Sequence, residues 1–301
     1  MTLVECVPNF SEGRRPEVID EIVAAMAGAP GVHVLDRQSD ATHNRCVITL
    51  VGPDEAVAEA AFRGIATAAR LIDLTQHRGA HPRFGAADVA PFVPVREADM
   101  PACVELAREL ARRVGEELGI PAYLYEDAAL REECRDLADV RRGEFEGLCE
   151  VIAEDPARAP DAGPCRMHPT AGAVAVGARP PLIAYNVNLD SGDVDLAREI
   201  AAAIRERDGG LPKVKAMGLA LDDCVQVSMN LVDYRVTSMH TVYTEIARRA
   251  AERGVAVRES EVVGLLPEAA LVDLARRSLR AADFTRQQIL EARVLDLLTG
   301  G

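Results

Sequence analysis

The order of the predicted strands and helices constrains the fold of this chain more than any other feature. Strand-like apolar segments, bounded by Gly, Pro and polar residues, alternate with helices as β-α-β-β-α-β. In the first half the strands are 3–8, 32–37, 45–51 and 89–95, and the helices are 16–27 and 55–74. Residues 9–15 and 38–44 are predicted to be polar loops.

The second half repeats the same element order. Its strands are 182–189, 214–221, 225–232 and 257–263, its helices are 194–207 and 238–253, and more helix follows from Pro267. Between the halves we predict a helix at 100–118, a strand at 122–125 and a charged, partly helical stretch to 159. The pattern predicts an α/β (α+β) protein of two ferredoxin-like split-βαβ subdomains, 1–178 and 179–301, side by side with a ligand cleft between them.

The composition of the chain argues against several classes of protein. The seven cysteines have no C-x-x-C spacing, which argues against both a disulfide framework and a zinc site. No apolar run approaches the ~20 residues of a membrane span, and the N-terminus does not look like a signal peptide, so we expect a cytoplasmic protein with no membrane partner. A net charge of −14 without a basic stripe argues against nucleic acid, although local arginines can still bind small anions.

The loop at 75–88, TQHRGAHPRFGAAD, is the first candidate for chemistry. Histidine exchanges a proton near neutral pH more readily than any other side chain, and this loop holds His77 and His81. A helix would place both on one face as metal ligands, but Gly79 and Pro82 disfavour a helix here. We therefore predict no metal site.

Two other sequence features have weaker functional interpretations. Residues 172–179 have the glycine spacing of a phosphate loop but lack the Lys-Ser/Thr that holds phosphate, so that interpretation fails. Lys213 and Lys215 lie two residues apart at the start of a predicted strand, which would place both side chains on one face. They are candidates to bind a ligand carboxylate.

Several long motifs span both halves of the chain: VECVPNFSEGR (4–14), RLIDLTQHRGAHPRFGAAD (70–88), PAYLYEDAA (121–129), GPCRMHPTAGAVAVGAR (163–179), IAYNVNL (183–189) and NLVDYRVTSMHTVY (230–243). Together they resemble one known family, that of glutamate formimidoyltransferase, the formiminotransferase of histidine degradation. The resemblance implies transfer of the formimino group from N-formimino-L-glutamate to N5 of tetrahydrofolate as co-substrate. It also implies a homodimer with folate held in a cleft between two subdomains.

The resemblance also assigns roles to residues of this sequence. The family's catalytic histidine corresponds to His81, which leaves His77 as a supporting residue. The folate-binding segment corresponds to Gly163, Pro164, Cys165, Arg166, Met167, His168, Pro169, Thr170, Ala171 and Gly172. Vertebrate relatives continue into a cyclodeaminase domain, so a monofunctional form with a separate cyclodeaminase is expected.

The chemistry of the reaction adds further candidates. His81 would need a group on its other ring nitrogen to fix its tautomer, and Asp40 and Asp88 are the candidates. Both substrates carry glutamate carboxylates, which guanidinium groups match with two parallel hydrogen bonds. The candidates for that contact are Arg45, Arg78, Arg83 and Arg179, together with Lys213 and Lys215.

Three alternative functions remain open from the sequence. A formyl transfer from 5-formyltetrahydrofolate to glutamate would use nearly the same site. A metal-assisted hydrolase acting through His77 and His81 would depend on a metal ion. A folate-binding module would bind the cofactor without transferring any group.

Overall fold

Two separate sheets, each with its own hydrophobic core, make up the structure. The computed structural model describes residues 2–299 and divides into unit 1, Met1–Pro180, and unit 2, Pro181–Gly301. The predicted α/β class is confirmed, because strands and helices alternate along both units.

Unit 1 contains a seven-stranded sheet. Its elements are β1 Leu3–Cys6, β2 Asn9–Phe10, α1 Pro16–Ala27, β3 His33–Asp40, β4 Arg45–Gly52, α2 Asp54–Leu71, β5 Ala87–Arg96, α3 Met100–Leu118, β6 Ala122–Glu126, α4 Leu137–Val140, α5 Glu144–Val151 and β7 Val174–Ala178. The strand order is β1-β4-β2-β5-β7-β6, β3 pairs with β4, and β1 also pairs with β5. The pairs among β1 to β5 are antiparallel, whereas β7 runs parallel to β5 and β6.

The helices α1 to α3 pack against one face of this sheet. Alternate strand residues such as Ile48 and Phe92 meet apolar helix residues such as Ile22 and Leu110, all of them buried. The bounds predicted for α1 and α3 are confirmed. Pro occupies the first turn of each helix, where its missing N–H costs nothing, and Asp99 caps α3 by accepting from the Ala102 N–H at 2.9 Å.

Two predicted loops of unit 1 contain strand residues. Asn9–Phe10 forms the short strand β2 rather than loop, because it fits between β4 and β5 and bonds to both. The predicted turn at 38–44 begins later than expected, since β3 continues to Asp40 opposite Arg45. Both differences reflect pairing with distant strands, which hydrophobic periodicity does not report.

Unit 2 contains a four-stranded antiparallel sheet in the order β11-β8-β10-β9. Its elements are β8 Ile183–Leu189, α6 Val194–Ile204, β9 Val214–Ala220, β10 Val225–Leu231, α7 Met239–Glu252, β11 Val257–Val263, α8 Glu268–Leu279 and α9 Leu290–Thr299. The predicted β-α-β-β-α-β order is confirmed here. Val187, Val227, Ile200 and Ile246 belong to its core. Within residues 2–299, no helix is both long and apolar enough to cross a bilayer.

Candidate active site

His81 lies in the loop that joins α2 to β5, and its side chain is half-buried. Its Nδ1 lies 2.6 Å from the Pro82 carbonyl oxygen and 2.6 Å from Arg45 Nη1. A carbonyl oxygen only accepts and a guanidinium only donates, so each contact suits a different neutral tautomer of the ring. No side chain or backbone group of residues 2–299 bonds to Nε2. Nε2 is therefore the ring nitrogen that is left without a protein partner among the described residues.

The surroundings of His81 favour its neutral form. Burial lowers the pKa of the imidazole well below its usual value of about 6.5, and the positive charges of Arg45 and Arg141 lower it further. The Pro82 carbonyl raises the pKa, but by less. His81 is consequently neutral at pH 7 and able to accept a proton.

Asp88 anchors the two arginines beside His81. Its carboxylate is fully buried and accepts from Arg45 Nη1 at 3.0 Å, from Arg141 Nη2 and from the Phe84 N–H at 3.1 Å. Arg45 also donates Nε and Nη2 to Asn9 Oδ1, at 3.1 and 2.8 Å. Burial lowers the pKa of Arg45 to about 10, so it stays charged at pH 7. One buried carboxylate thus faces two guanidinium groups, which leaves the cluster net positive.

The carboxylates predicted to orient His81 have other partners. Asp88 bonds to the arginines, and Asp40 accepts from the His43 N–H at 2.6 Å and contacts His43 Nδ1 at 2.9 Å. Burial raises the pKa of Asp40, but its hydrogen bonds with His43 hold it below the usual value. The ring of His43 lies edge-on to His81 with 6.4 Å between ring centres. Neither carboxylate therefore contacts His81 directly, and Asp88 is linked to it only through Arg45, whose Nη1 contacts both Asp88 Oδ2 and His81 Nδ1.

His77 supports the turn that carries His43. Its ring is buried, and Nε2 lies 2.8 Å from the Asn44 carbonyl oxygen. The Ala80 N–H donates to the Thr42 carbonyl at 3.1 Å, and a Cβ on Gly79 would lie 2.2 Å from the His43 oxygen. The loop at 77–80 and the turn at 42–44 therefore pack backbone against backbone.

The predicted folate segment, 163–172, lies directly beside the His81 loop. The Ala86 N–H donates to the Ala171 carbonyl and the Ala173 N–H donates to the Phe84 carbonyl, both at 2.9 Å. Gly85 and Gly172 form an isolated antiparallel β-bridge between these two hydrogen bonds. Gly172 has a φ of +70°, in the left-handed region that favours glycine. The structure thus brings His81 and this segment together, although about ninety residues of sequence separate them.

Gly85 is a position where this pairing can be tested. A Cβ there would lie 1.8 Å from the Ala173 carbonyl oxygen, a backbone atom that has no room to retreat. We expect Gly85→Ala to lower the free energy of unfolding by about 1–3 kcal/mol and to weaken folate binding, because the two segments must separate. Urea unfolding and folate titration measure the two effects. Gly147→Ala is the matched control, since a Cβ on Gly147 of α5 meets nothing within 4 Å; equal results for the two variants would contradict the prediction.

The arginines predicted to bind substrate carboxylates are engaged to different degrees. Arg83 is buried and donates to both oxygens of Glu146 at 2.7 Å, so its fork is already matched. Arg45 is held by Asn9 and Asp88, as described above. Among residues 2–299, the guanidinium groups of Arg78 and Arg179 donate only to backbone oxygens. The shortest of these hydrogen bonds are 2.6 Å from Arg78 Nη1 to the His77 oxygen and 3.1 Å from Arg179 Nη1 to the Pro180 oxygen.

The two lysines belong to unit 2 and differ in backbone conformation. Lys213 precedes β9 and has a φ of +60°, whereas Lys215 lies within the strand. The strand alternation that predicted a shared face therefore does not extend to Lys213.

Two residues beside His81 and Asp88 were not predicted from the sequence, namely His43 and Arg141. Arg141 directly follows α4, its side chain is 13% exposed, and it contacts Asp88 through Nη2. Its Nε is buried and has no hydrogen-bond partner among residues 2–299. His43 had a weak signal, because it lies in a polar turn between two strands. In the part of the chain that the structure describes, no three His, Cys, Asp or Glu side chains gather as a metal site.

Comparisons with known proteins agree across both units. Residues 3–179 match the formiminotransferase domain, N-terminal subdomain, and residues 184–293 match the formiminotransferase domain. The chain is 49% identical over 296 residues to a glutamate formimidoyltransferase of Streptococcus pyogenes serotype M1, covering 97% of this chain and 99% of that protein. A glutamate formimidoyltransferase of Thermoplasma acidophilum is 49% identical over 298 residues, covering 98% of each. A formimidoyltransferase-cyclodeaminase of Sus scrofa is 46% identical over 281 residues, which cover 91% of this chain and 52% of that protein.

Proposed function

Because this chain belongs to the formiminotransferase family, we propose that it transfers the formimino group of N-formimino-L-glutamate to N5 of tetrahydrofolate. The products are 5-formiminotetrahydrofolate and L-glutamate, so the reaction belongs to histidine degradation. The observation that carries the proposal is the position of His81, a neutral histidine whose Nε2 faces away from its protein partners, beside the segment 163–172.

His81 serves as the general acid and base of this reaction. N5 of tetrahydrofolate attacks the amidine carbon of the donor and must lose its proton, and the departing glutamate nitrogen must gain one. Nε2 of His81 accepts the first proton and returns it to the leaving nitrogen, so the residue is regenerated after each turnover. Burial, and after it the adjacent cations, disfavours the charged imidazolium and lowers its pKa, which makes protonated His81 a strong acid toward the leaving amine.

The positive cluster around Asp88 suits an anionic substrate. A donor carboxylate close to Arg45 and Arg141 would offset part of their charge and so raise the basicity of His81 when substrate is present. Arg78, Arg179, Lys213 and Lys215 remain candidates for the other carboxylates of the two substrates. Arg83 is the weakest candidate, because Glu146 already occupies its fork.

Orientation is expected to contribute more than proton transfer. Holding two substrates in reactive geometry lowers a barrier by as much as ~7–11 kcal/mol in ideal cases, whereas a positioned base contributes a factor of roughly 10²–10⁴. The segment Gly163–Gly172 is proposed to hold folate, and its backbone bonds to residues 84–86 support this position next to the chemistry. The cleft predicted between the subdomains, the homodimer and the independence from metal stay predictions.

We also propose that 1–178 and 179–301 are ferredoxin-like subdomains. The order β11-β8-β10-β9 supports this for unit 2, because its first strand, β8, lies between its third and fourth strands. In unit 1, β1 pairs with both β4 and β5, and β3 pairs with β4, which gives the corresponding order.

The proposal is tested by mixing the protein with formiminoglutamate and tetrahydrofolate and measuring the absorbance of methenyltetrahydrofolate after acid treatment. We expect product in proportion to enzyme, and unchanged rates after chelator treatment. A parallel assay with 5-formyltetrahydrofolate and glutamate tests the formyl alternative. Folate binding without any transfer would instead support a binding module.

A further inference from the structure

The side chain of Arg158 holds the backbone on both sides of Arg141. Arg158 lies in a short 3₁₀ turn, and its guanidinium donates to three carbonyls at the end of α4. Nη1 donates to the Asp139 oxygen at 2.9 Å, and Nη2 donates to the Val140 and Arg142 oxygens at 3.0 and 2.8 Å. The last carbonyls of a helix lack partners within the helix, and a basic side chain can supply them. One guanidinium therefore fixes the stretch of backbone that carries Arg141.

Arg158 is itself fixed to the sheet of unit 1. Its carbonyl oxygen accepts from the hydroxyl of Tyr123 at 2.7 Å, and Tyr123 is a buried residue of β6. Its N–H donates to the Asp155 oxygen at 2.9 Å, and the Asp155 side chain accepts from the Ala157 N–H at 2.9 Å. The backbone of Arg158 is thus bonded on both sides of its Cα, so the guanidinium projects toward α4 from a fixed position.

The side chain of Arg141 depends on this support. Among residues 2–299 its guanidinium has one hydrogen-bond partner, Asp88, while its Nε is buried and unpaired. The neighbouring Val140 packs in an apolar cluster with Tyr123, but hydrophobic contact has no preferred direction. Hydrogen bonds do have a preferred direction. The three bonds from Arg158 therefore set the direction in which the Arg141 side chain leaves the backbone.

We propose that Arg158 is a positioning residue for formimino transfer, which keeps the guanidinium of Arg141 in the cluster beside His81. This inference rests on the proposed function, which makes His81 the group that moves the proton. The hydrogen bonds of the Arg158 side chain go to the backbone of α4 and its end, not to His81 or Asp88. Its influence on the reaction therefore passes through Arg141.

The groups around His81 determine the expected effect. Its charged and titratable neighbours are Arg45 of β4, Arg141 after α4, His43 of the turn before β4, and Asp88, which faces both arginines. Burial lowers the pKa of His81 most, followed by the charges of Arg45 and Arg141. Arg45 has its own bonds to Asn9 and stays in place without Arg158. Displacing Arg141 should therefore raise the pKa of His81 toward its usual value of about 6.5, but not to it, because burial and Arg45 remain.

An NMR titration of the His81 ring tests the inference, with its signals assigned by their absence in His81→Ala. We expect the pKa of His81 to rise in Arg158→Met and in Arg158→Lys, and the acid limb of kcat/KM for formimino transfer to move to higher pH with it. The lysine variant keeps the positive charge but has one nitrogen in place of a planar fork, so a shift there reports lost position rather than lost charge. It also carries the test if Arg158→Met does not fold. An unchanged pKa in Arg158→Lys would overturn the inference.

A double variant tests whether Arg158 acts through Arg141. Arg141→Met should raise the pKa of His81, and adding Arg158→Met should raise it no further, because the residue that Arg158 positions is already gone. A further rise in the double variant would overturn the inference. Arg142→Met is the matched control, since this neighbouring arginine is 74% exposed and pairs with Asp139, and we expect the pKa of the parent protein. The same rise in this control would also overturn the inference.

The titration needs no substrate, so it separates this inference from the proposed function. Transfer by the unsubstituted protein, together with an unchanged pKa in Arg158→Lys, would overturn the inference alone. Absence of transfer by the unsubstituted protein would overturn the proposed function and the role of Arg158 in the reaction. The titration would still decide whether Arg158 holds Arg141 beside His81.

Discussion

His81→Ala is expected to lower the turnover of formimino transfer by roughly 10²–10⁴ and to leave the protein folded. The loss arises because the proposed mechanism carries the proton from N5 to the departing glutamate nitrogen through His81. The fold should persist because His81 is half-buried and its contacts are with a neighbouring carbonyl, Arg45 and the edge of the His43 ring. Steady-state rates at saturating concentrations of both substrates measure the effect, and circular dichroism checks the fold.

The matched control for this prediction is His33→Ala. His33 is an exposed histidine at the start of β3 in the same unit, so its loss should leave turnover unchanged. Full turnover by the His81 variant would remove His81 from the proposed mechanism. A large loss in both variants would point to a general effect on the fold instead.

Asp88→Asn is expected to lower the free energy of unfolding by about 3–5 kcal/mol, the usual cost of removing one member of a buried ion pair. Asp88 is fully buried and balances two guanidinium groups, and an amide of the same shape would turn a donor toward one of them. Turnover should fall as well, because Arg45 would lose its ion pair with Asp88 and be held beside His81 by Asn9 alone. Urea unfolding and steady-state kinetics measure the two effects.

Glu109→Gln tests whether any carboxylate paired with arginine would behave in the same way. Glu109 and Arg112 form an exposed pair on α3, with 55% and 52% of their side chains exposed. Removing such a pair should leave the free energy of unfolding nearly unchanged, because water already solvates both charges. If Asp88→Asn were as stable as this control, Asp88 could not be the anchor of the arginine cluster.

Local signals predicted the helices and most of the strands. The N-terminal proline and the apolar spacing of α1 are contained within about a dozen residues, as are the cap and stripe of α3. Strand β2 could not be predicted in this way. It has two residues, and its existence depends on bonds to β4 and β5, which are distant in sequence.

In the candidate site, too, residues with a local sequence motif were predicted and residues placed only by the fold were not. The HPR turn identified the loop of His81, but Arg141 reaches the cluster through Asp88, which lies 53 residues earlier in the chain. Nothing local to Arg141 distinguishes it from Arg142, whose side chain is 74% exposed. Only the position of α4 in the fold separates the two.

The arginines predicted to bind substrate carboxylates show why the chemistry of a residue alone did not predict its partner. A forked guanidinium matches a carboxylate of the protein as well as it matches one of a substrate. In this acidic chain, Glu146 satisfies Arg83 and Asp88 satisfies Arg45.

The most direct test of formimino transfer follows the carbon atom itself. The protein is incubated with tetrahydrofolate and N-formimino-L-glutamate labelled with ¹³C at the formimino carbon, and the mixture is observed by NMR. The proposed function predicts that the labelled carbon moves to N5 of tetrahydrofolate while unlabelled L-glutamate appears in equal amount. Label that stays on glutamate, or that appears as free formamide or formate without reaching folate, would contradict it.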